Sequence, residues 1–487
     1  MKIILIISLL ALFGLSGCVT QPTAAPLPEE PTAAPSGSPA VTPTGGRSGT
    51  PLPQQATPTR TVGPTVVPTL GLQAADLRGA QVVFWYPAGG ELQKEYAAQM
   101  AEFNQSNVWG ITVTGRAFSS SNGLEEALNA AIKSGEMPQV VLAPLELLLS
   151  WQTRDPLLIA LNAYLQDPEW GLTAQEPGDF WPVFWQDGLV GSQRWAIPAG
   201  RNVEVLFYNQ TWAEQLGFRQ APVTPADFRT QACAAAKANL ADAGPENDGT
   251  GGWIISDNPL SLESWRLAFG GGALPVQEGH AYQFNTPPGV SAFTYLRKLS
   301  DDHCAWTARS SLPYTYFAQR RALFYSGSLL DLPAQERAMP FEKSTDRWTV
   351  IAYPAENSRP VALTSGASYA LLRATPQRQL AAWLFLHHLM LPRVQTRLAV
   401  AGGLLPARGA ALQAMDDYRN AHPAWAAATG WKDRLQPAPR LASWRSARRV
   451  LQDAAWQIFS PATKPAGIPA ILAELDTTIM DVLKLAP

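Results

Sequence analysis

The chain has 487 residues, 46% hydrophobic and 16% charged, and its 37 basic and 39 acidic side chains leave a net charge of −2. At about 150 residues per domain, this length predicts more than one domain around a large core. The near-cancelling charge argues against a nucleic-acid binder, which carries a basic excess or stripe, and a mean hydropathy of −0.07 excludes a polytopic membrane protein. Three cysteines are too few for a disulfide scaffold and five histidines leave little room for metal chemistry, so no metal or cofactor is expected. Seventeen tryptophans, by contrast, need something to pack against or to bind.

In chain order, Lys2 precedes an apolar run from Ile3 to Phe13 and then Leu15-Ser16-Gly17-Cys18. A charged start, a short apolar stretch and small residues before a cleavage point make a secretory signal, and the run is shorter than the ~20 residues a membrane span requires. Its last four residues resemble the bacterial lipobox, which implies cleavage before Cys18 (residues 1–17 being the signal peptide) and diacylglycerol on the Cys18 sulfur. The alternative is an ordinary secretory signal that contains a cysteine. From Val19 to Leu70 the chain is Pro, Thr, Ala, Ser and Gly with almost no charge and no aromatic residue. Such a segment cannot bury enough apolar surface to offset its ordering entropy, so residues 18–75 read as an extended tether holding a folded part outside the cytoplasm.

The folded part opens with Gln81–Tyr86, a continuous apolar and β-rich run that predicts a strand buried on both faces. Gly89-Gly90 breaks it. Leu92, Tyr96, Met100 and Phe103 then form one helical stripe, Ile111-Thr-Val113 alternates as a strand, Leu124, Leu128 and Ile132 mark a second helix, and Gln139–Leu142 is a third strand. Strand, helix, strand, helix, strand at this spacing predicts an α/β fold with a mostly parallel sheet flanked by helices. Further on, Thr224-Pro225-Ala-Asp227 reads as the capped start of an Ala-rich helix through Cys233. Val290, Phe293, Leu296 and Leu299 stripe another helix, as do Leu380, Trp383, Leu384 and His387. No repeat of solenoid or propeller length is present.

Seven of these pieces, in order, resemble the bacterial family 1 extracellular solute-binding proteins, the lipoprotein components of sugar-importing ABC transporters. They are the strand ending at Trp85, the helix closing on Glu102-Phe103-Asn104, the block Ala131-Ile132-Lys133-Ser134-Gly135-Glu136-Met137-Pro138-Gln139-Val140-Val141, Arg194-Trp195-Ala196-Ile197-Pro198, Leu206-Phe207-Tyr208-Asn209, Pro222 to Phe228, and the closing stretch from Thr364-Ser365-Gly366 to Leu405-Pro406-Ala407-Arg408. Gln139 stands where Asp is usual and Pro225 where Trp is usual. The resemblance implies two α/β lobes of the periplasmic-binding-protein type (type II), with solute in the cleft between them. It places crossings near Val203, Trp348 and Arg408, hence one lobe of residues 76–203 plus 348–408 and another of 204–347 plus 409–487. It implies a small-molecule solute, a sugar, together with ABC permease subunits as partners, a monomer, and a lipid anchor at the extracytoplasmic face of the cell membrane.

A sugar needs amides and carboxylates for its hydroxyls and aromatic rings for its C–H faces. The cleft should lie past the carboxyl ends of the strands. That points to Trp85 or Tyr86, which alternate in facing, so that one of the pair is core and the other at the cleft. It points as well to Glu146 after the third strand, while the resemblance implies Asn202, four residues after Pro198, Ser328 in a cleft loop after the Ala322–Tyr325 run, and Ser365 with Gly366 at the start of the closing block. Trp253 and Trp265 would serve from the second lobe, their alternative being core packing. An extracytoplasmic location also permits a Cys233–Cys304 disulfide, the alternative being two buried thiols. No catalytic group is assigned: Gly366-Ala-Ser368-Tyr-Ala370 lacks the last glycine of a hydrolase elbow, and the Glu246–Gly251 loop has no calcium-ligand spacing. The competing class, a surface glycoside hydrolase, requires paired carboxylates about 5–10 Å apart.

Overall fold

The computed structural model describes residues 70–485 apart from 275–278 and 311. The signal peptide, Cys18 and the expected tether up to residue 69 lie outside the described residues. Strand β1 (Gln81–Pro87) runs parallel to both β2 (Thr112–Phe118) and β3 (Val140–Pro144), with Val82 opposite Val113 and Phe84 opposite Val140. Helix α1 (Gly90–Ser106) connects β1 to β2, and α2 (Ser121–Ser134) connects β2 to β3. Tyr96, Met100 and Phe103 are the buried stripe of α1, one helical turn or so apart, which is why the helix lies on the sheet. Helix α2 starts where the Ser120 side chain accepts from the Gly123 N–H and stops at Gly135, whose φ of 80° is the left-handed conformation that ends helices. Gln139 accepts from the Val83 N–H at 2.9 Å and donates to the Met137 carbonyl at 2.9 Å. One amide thereby fixes the entry of β3 against β1.

Two strands complete this five-stranded sheet: Ala367–Leu371, antiparallel to β3, and Ile197–Pro198 beside it. The second sheet is ordered Leu435–Pro437, Ala362–Ser365, Asn202–Asn209, Ala322–Ser328, Gly251–Ile254 and Ala305–Trp306, with Trp348–Ile351 also paired to the Asn202 strand. The parallel pairing expected from strand–helix repeats holds through β2–β1–β3 and Ala322–Gly251–Ala305. Antiparallel pairs enter where strands arrive from the other lobe.

The chain passes from the first sheet to the second between Pro198 and Asn202, beside the expected Val203. It does not return near Trp348: Trp348–Ile351 pairs antiparallel with Leu206–Asn209 and stays in the second sheet. Return comes at Gly366, between Ser365, opposite Asn202, and Ala367, opposite Pro144. Residues 348–365 therefore belong with the second sheet. Gly366 has a φ of 153°, and a Cβ there would lie 2.9 Å from the Gly200 carbonyl oxygen, so glycine alone lets the two crossing segments touch.

The second lobe closes its core with helices from far along the sequence. Trp444–Phe459 and Ile468–Leu485 pack on Pro287–Asp301. Cys233, on helix Pro225–Ala241, is joined by a disulfide to Cys304, with Cα atoms 4.3 Å apart. Thr224 and Asp227 cap that helix reciprocally.

Candidate functional site

A cleft of about 380 Å³ opens between the two sheets and draws its lining from both. Its floor is the crossing itself: Gly200, Asn202, Ser365 and Gly366. One wall carries Glu146, in the first turn of α3 (Leu145–Arg154), and Asp187; the facing wall carries Arg440, Trp444 and Arg448. Asn202 is only 9% exposed, and its Oδ1 has no hydrogen-bond partner. A buried acceptor left unpaired is costly, so this oxygen is a natural place for a donor from outside the protein.

Four of the sequence-derived site residues thus line the cleft: Glu146, Asn202, Ser365 and Gly366. The others do not. Trp85 packs on the α2 side of the sheet, 5.4 Å from the Phe118 ring, with the Arg116 guanidinium 5.1 Å from its own ring centroid. Tyr86, on the opposite face as alternation requires, stacks 4.7 Å from Phe84 and lies 4.9 Å from Tyr96 inside the core. Both faces of β1 are covered by helices, so neither ring reaches solvent. Trp253 and Trp265 sit edge-to-face 6.1 Å apart in the second core and are fully buried. Ser328 caps the turn Leu329–Asp331 through the Asp331 carboxylate, and its neighbour Leu330, not Ser328, reaches the cleft.

Behind the floor sits Arg201, 1% exposed. Its Nη1 donates to the Ala367 carbonyl at 2.6 Å; its Nη2 donates to Ser368 Oγ and to Asp187 Oδ2, both at 2.9 Å. Its backbone exchanges two hydrogen bonds of 2.8 Å with Leu405. One residue therefore ties three crossing segments together and holds Asp187 at the cleft. Burial pulls the Arg201 guanidinium below its usual range, while the Asp187 carboxylate opposes that shift.

The walls also meet directly. Arg445 forks onto Glu125 of α2, its Nη1 and Nη2 donating to the two carboxylate oxygens at 2.7 and 2.6 Å. Arg448 Nη1 lies 3.5 Å from Glu146 Oε1, and Arg440 Nη1 donates to the Gln186 carbonyl at 2.7 Å. Burial raises the Glu146 carboxyl above its ordinary range, with Arg448 and Arg445 pulling it back and Asp187 pushing it up.

Two sheets sharing crossing strands, with a polar cleft at the crossing, agree with the match of the model for bacterial extracellular solute-binding proteins to residues 98–456. The chain belongs to this family. No curated protein sequence matches it. Among solved structures, this solute-binding protein is similar to the sugar-binding protein MalE of Xanthomonas citri, at 19% identity and a TM-score of 0.71, over 83% of this chain and 97% of that one. The cyclic α-maltosyl-1,6-maltose binding protein of Arthrobacter globiformis aligns at 15% identity and TM-score 0.70, covering 83% and 99%. UgpB of Mycobacterium tuberculosis, solved with glycerophosphocholine, aligns at 16% and 0.65, again covering 83% and 99%. These likenesses establish the two-lobed fold.

Sequence reasoning missed Asp187, Arg201, Arg440 and Arg448 in this solute-binding protein. A signal for the arginines existed: Arg440, Arg445, Arg448 and Arg449 fall within ten residues in a chain otherwise sparse in charge. Their place at the cleft depends on a helix returning from the far end of the second lobe, which no local pattern encodes.

Proposed function

We propose that this solute-binding protein captures a carbohydrate, a mono- or oligosaccharide, between its lobes and hands it unchanged to an ABC import permease. The supporting observation is the cleft at the crossing, whose polar groups come from both lobes, with the unpaired Asn202 Oδ1 on its floor. Several structural relatives are sugar-binding proteins, which favours this class of solute. A ligand touching both walls binds the closed arrangement better than the open one, and closure is what a permease can read without any chemistry on the solute. The proposal includes a monomer anchored by lipid on Cys18. It divides the folded part at the two passages described above and at a third near Arg408, with 76–200 plus 366–408 in one lobe and 201–365 plus 409–485 in the other.

A thermal-shift screen against mono- and oligosaccharides tests it, followed by recovery of the bound sugar. A raised melting temperature with the sugar recovered intact is expected. Cleaved sugar would favour the glycoside-hydrolase class, and no shift across the panel would refute the carbohydrate reading. Cys18→Ala should release the protein from membranes; unchanged membrane fractionation would refute the anchor.

A further inference from the structure

Sugar sites use open aromatic faces, and this cleft has none. Tyr96 and Trp444 are its aromatic lining residues, and both rings are already buried. Tyr96 packs among Phe84 and Tyr86 with its hydroxyl 2.9 Å from that of Tyr369, and Trp444 stacks on Tyr282. Affinity must come instead from hydrogen bonds and charge.

The charges are unequal. Asp187 and the buried Arg201 satisfy each other at 2.9 Å. That leaves one carboxylate, Glu146, against two guanidinium groups, Arg440 and Arg448. Arg448 reaches Glu146 through a single long contact of 3.5 Å. Arg440 has a neutral partner, the Gln186 carbonyl, and no carboxylate within ion-pair distance among the described residues. Arg445 between them is already held bidentately by Glu125 and contributes nothing to the excess. Burial raises the Glu146 carboxyl above its ordinary range, and Arg448 opposes that shift. The wall opposite Glu146 is therefore cationic, with guanidinium donors to spare, while the floor offers the unpaired Asn202 acceptor and the Ser365 hydroxyl.

We propose that the solute is an acidic carbohydrate, its anionic group held by Arg440 and Arg448 and a hydroxyl donating to Asn202 Oδ1. This rests on the carbohydrate reading above and narrows it. A planar guanidinium pairs bidentately with either a carboxylate or a phosphate, so the shared chemistry is a polyol bearing one anion.

Titration calorimetry of the full chain against matched probes decides between these cases: D-glucose with D-glucuronate and D-glucose 6-phosphate, and D-galactose with D-galacturonate and D-galactose 6-phosphate. At least one acid should bind about tenfold or more tightly than its neutral parent, and that affinity should fall several-fold between low and high salt. The uronate and phosphate arms identify which anion is read. Arg440→Gln and Arg448→Gln should each reduce the preference for the acid over its neutral parent about tenfold. Unaltered melting temperatures show that these variants fold. Neutral sugars binding as tightly as the acids, or both variants keeping the acid affinity, overturns the proposal while the carbohydrate reading stands. If none of these probes binds, the proposal falls, and the carbohydrate reading is then decided by the mono- and oligosaccharide screen above.

Discussion

Replacing Glu125 by Lys should open the ligand-free protein. Glu125 lies on α2 of the first lobe and Arg445 on the Trp444–Phe459 helix of the second, and their fork spans the cleft at 2.6 and 2.7 Å. The side chains are 20% and 25% exposed, so screening is partial. Unit charges at ~4 Å attract by about 4 kcal/mol at an effective dielectric of 20. Desolvation and lost side-chain freedom reduce this to roughly 1–2 kcal/mol net. Lysine removes that attraction and substitutes a repulsion, for a total shift of about 2–3 kcal/mol, or roughly 30- to 150-fold in the closed-to-open ratio. Spin labels placed one on each lobe should report a longer mean distance without solute, and solute affinity should drop by the fraction of closed form lost. The reversed pair, Glu125→Arg with Arg445→Glu, should recover both readouts, and high salt should lengthen the distance in the wild type. An unchanged inter-lobe distance in Glu125→Lys, or failure of the reversed pair to recover it, would refute the latch.

Other expectations follow from burial and covalent constraint. The Cys233–Cys304 bridge closes a 71-residue separation, which in the chain-entropy model stabilises by about 4 kcal/mol; reductant should lower the melting temperature by several degrees and have no effect on the Cys233→Ser/Cys304→Ser variant, and equal melting with and without reductant would count against it. Trp85→Ala should destabilise by about 3–5 kcal/mol in denaturant titrations yet leave solute affinity within about twofold, because the ring is core; a large affinity loss in folded protein would place it at the site after all. Glu204 is buried, with Asp331 nearby, and its carboxyl is pushed up to about 8. The folded state then holds a proton that the unfolded state releases, so stability should fall as pH rises from about 4.5 to 8, by up to roughly 5 kcal/mol. Glu204→Gln should flatten that slope, and an identical pH dependence in the two proteins would exclude Glu204 as its source.

The first lobe was legible because its information is local. Val82, Tyr96, Leu124 and Val140 belong to short strand and helix patterns whose periods give element type, and the element order gives the parallel arrangement. The floor of the cleft was legible in part through the family resemblance, which carries Asn202, Ser365 and Gly366. Trp85 and Tyr86 were misjudged because a strand covered by helices on both faces buries both alternating sets, so a ring at its end is packed rather than presented. Trp253 and Trp265 failed similarly; their bulk fills a lobe whose core also takes in Tyr353 and Phe228. The walls were illegible. Glu125 and Arg445 are 320 residues apart, and their meeting depends on the docking of two lobes.

That division between floor and walls has a mechanical consequence. Asn202, Ser365 and Gly366 lie on the crossing segments about which the lobes must move, so a solute resting on them keeps those contacts whether the cleft is open or shut. Contacts equal in two states shift nothing between them. Arg440 and Arg448 are different: they belong to the lobe that travels, and they meet a solute on the floor only when the walls come together. The free energy that drives closure must therefore reside in the wall contacts, and the floor can contribute affinity but not motion. Arg201 ties Ala367, Ser368, Leu405 and Asp187 together behind that floor. In the Glu125→Lys variant, a solute that satisfies Asn202 alone should bind and leave the protein open, whereas one that also reaches the arginine wall should bind and close it.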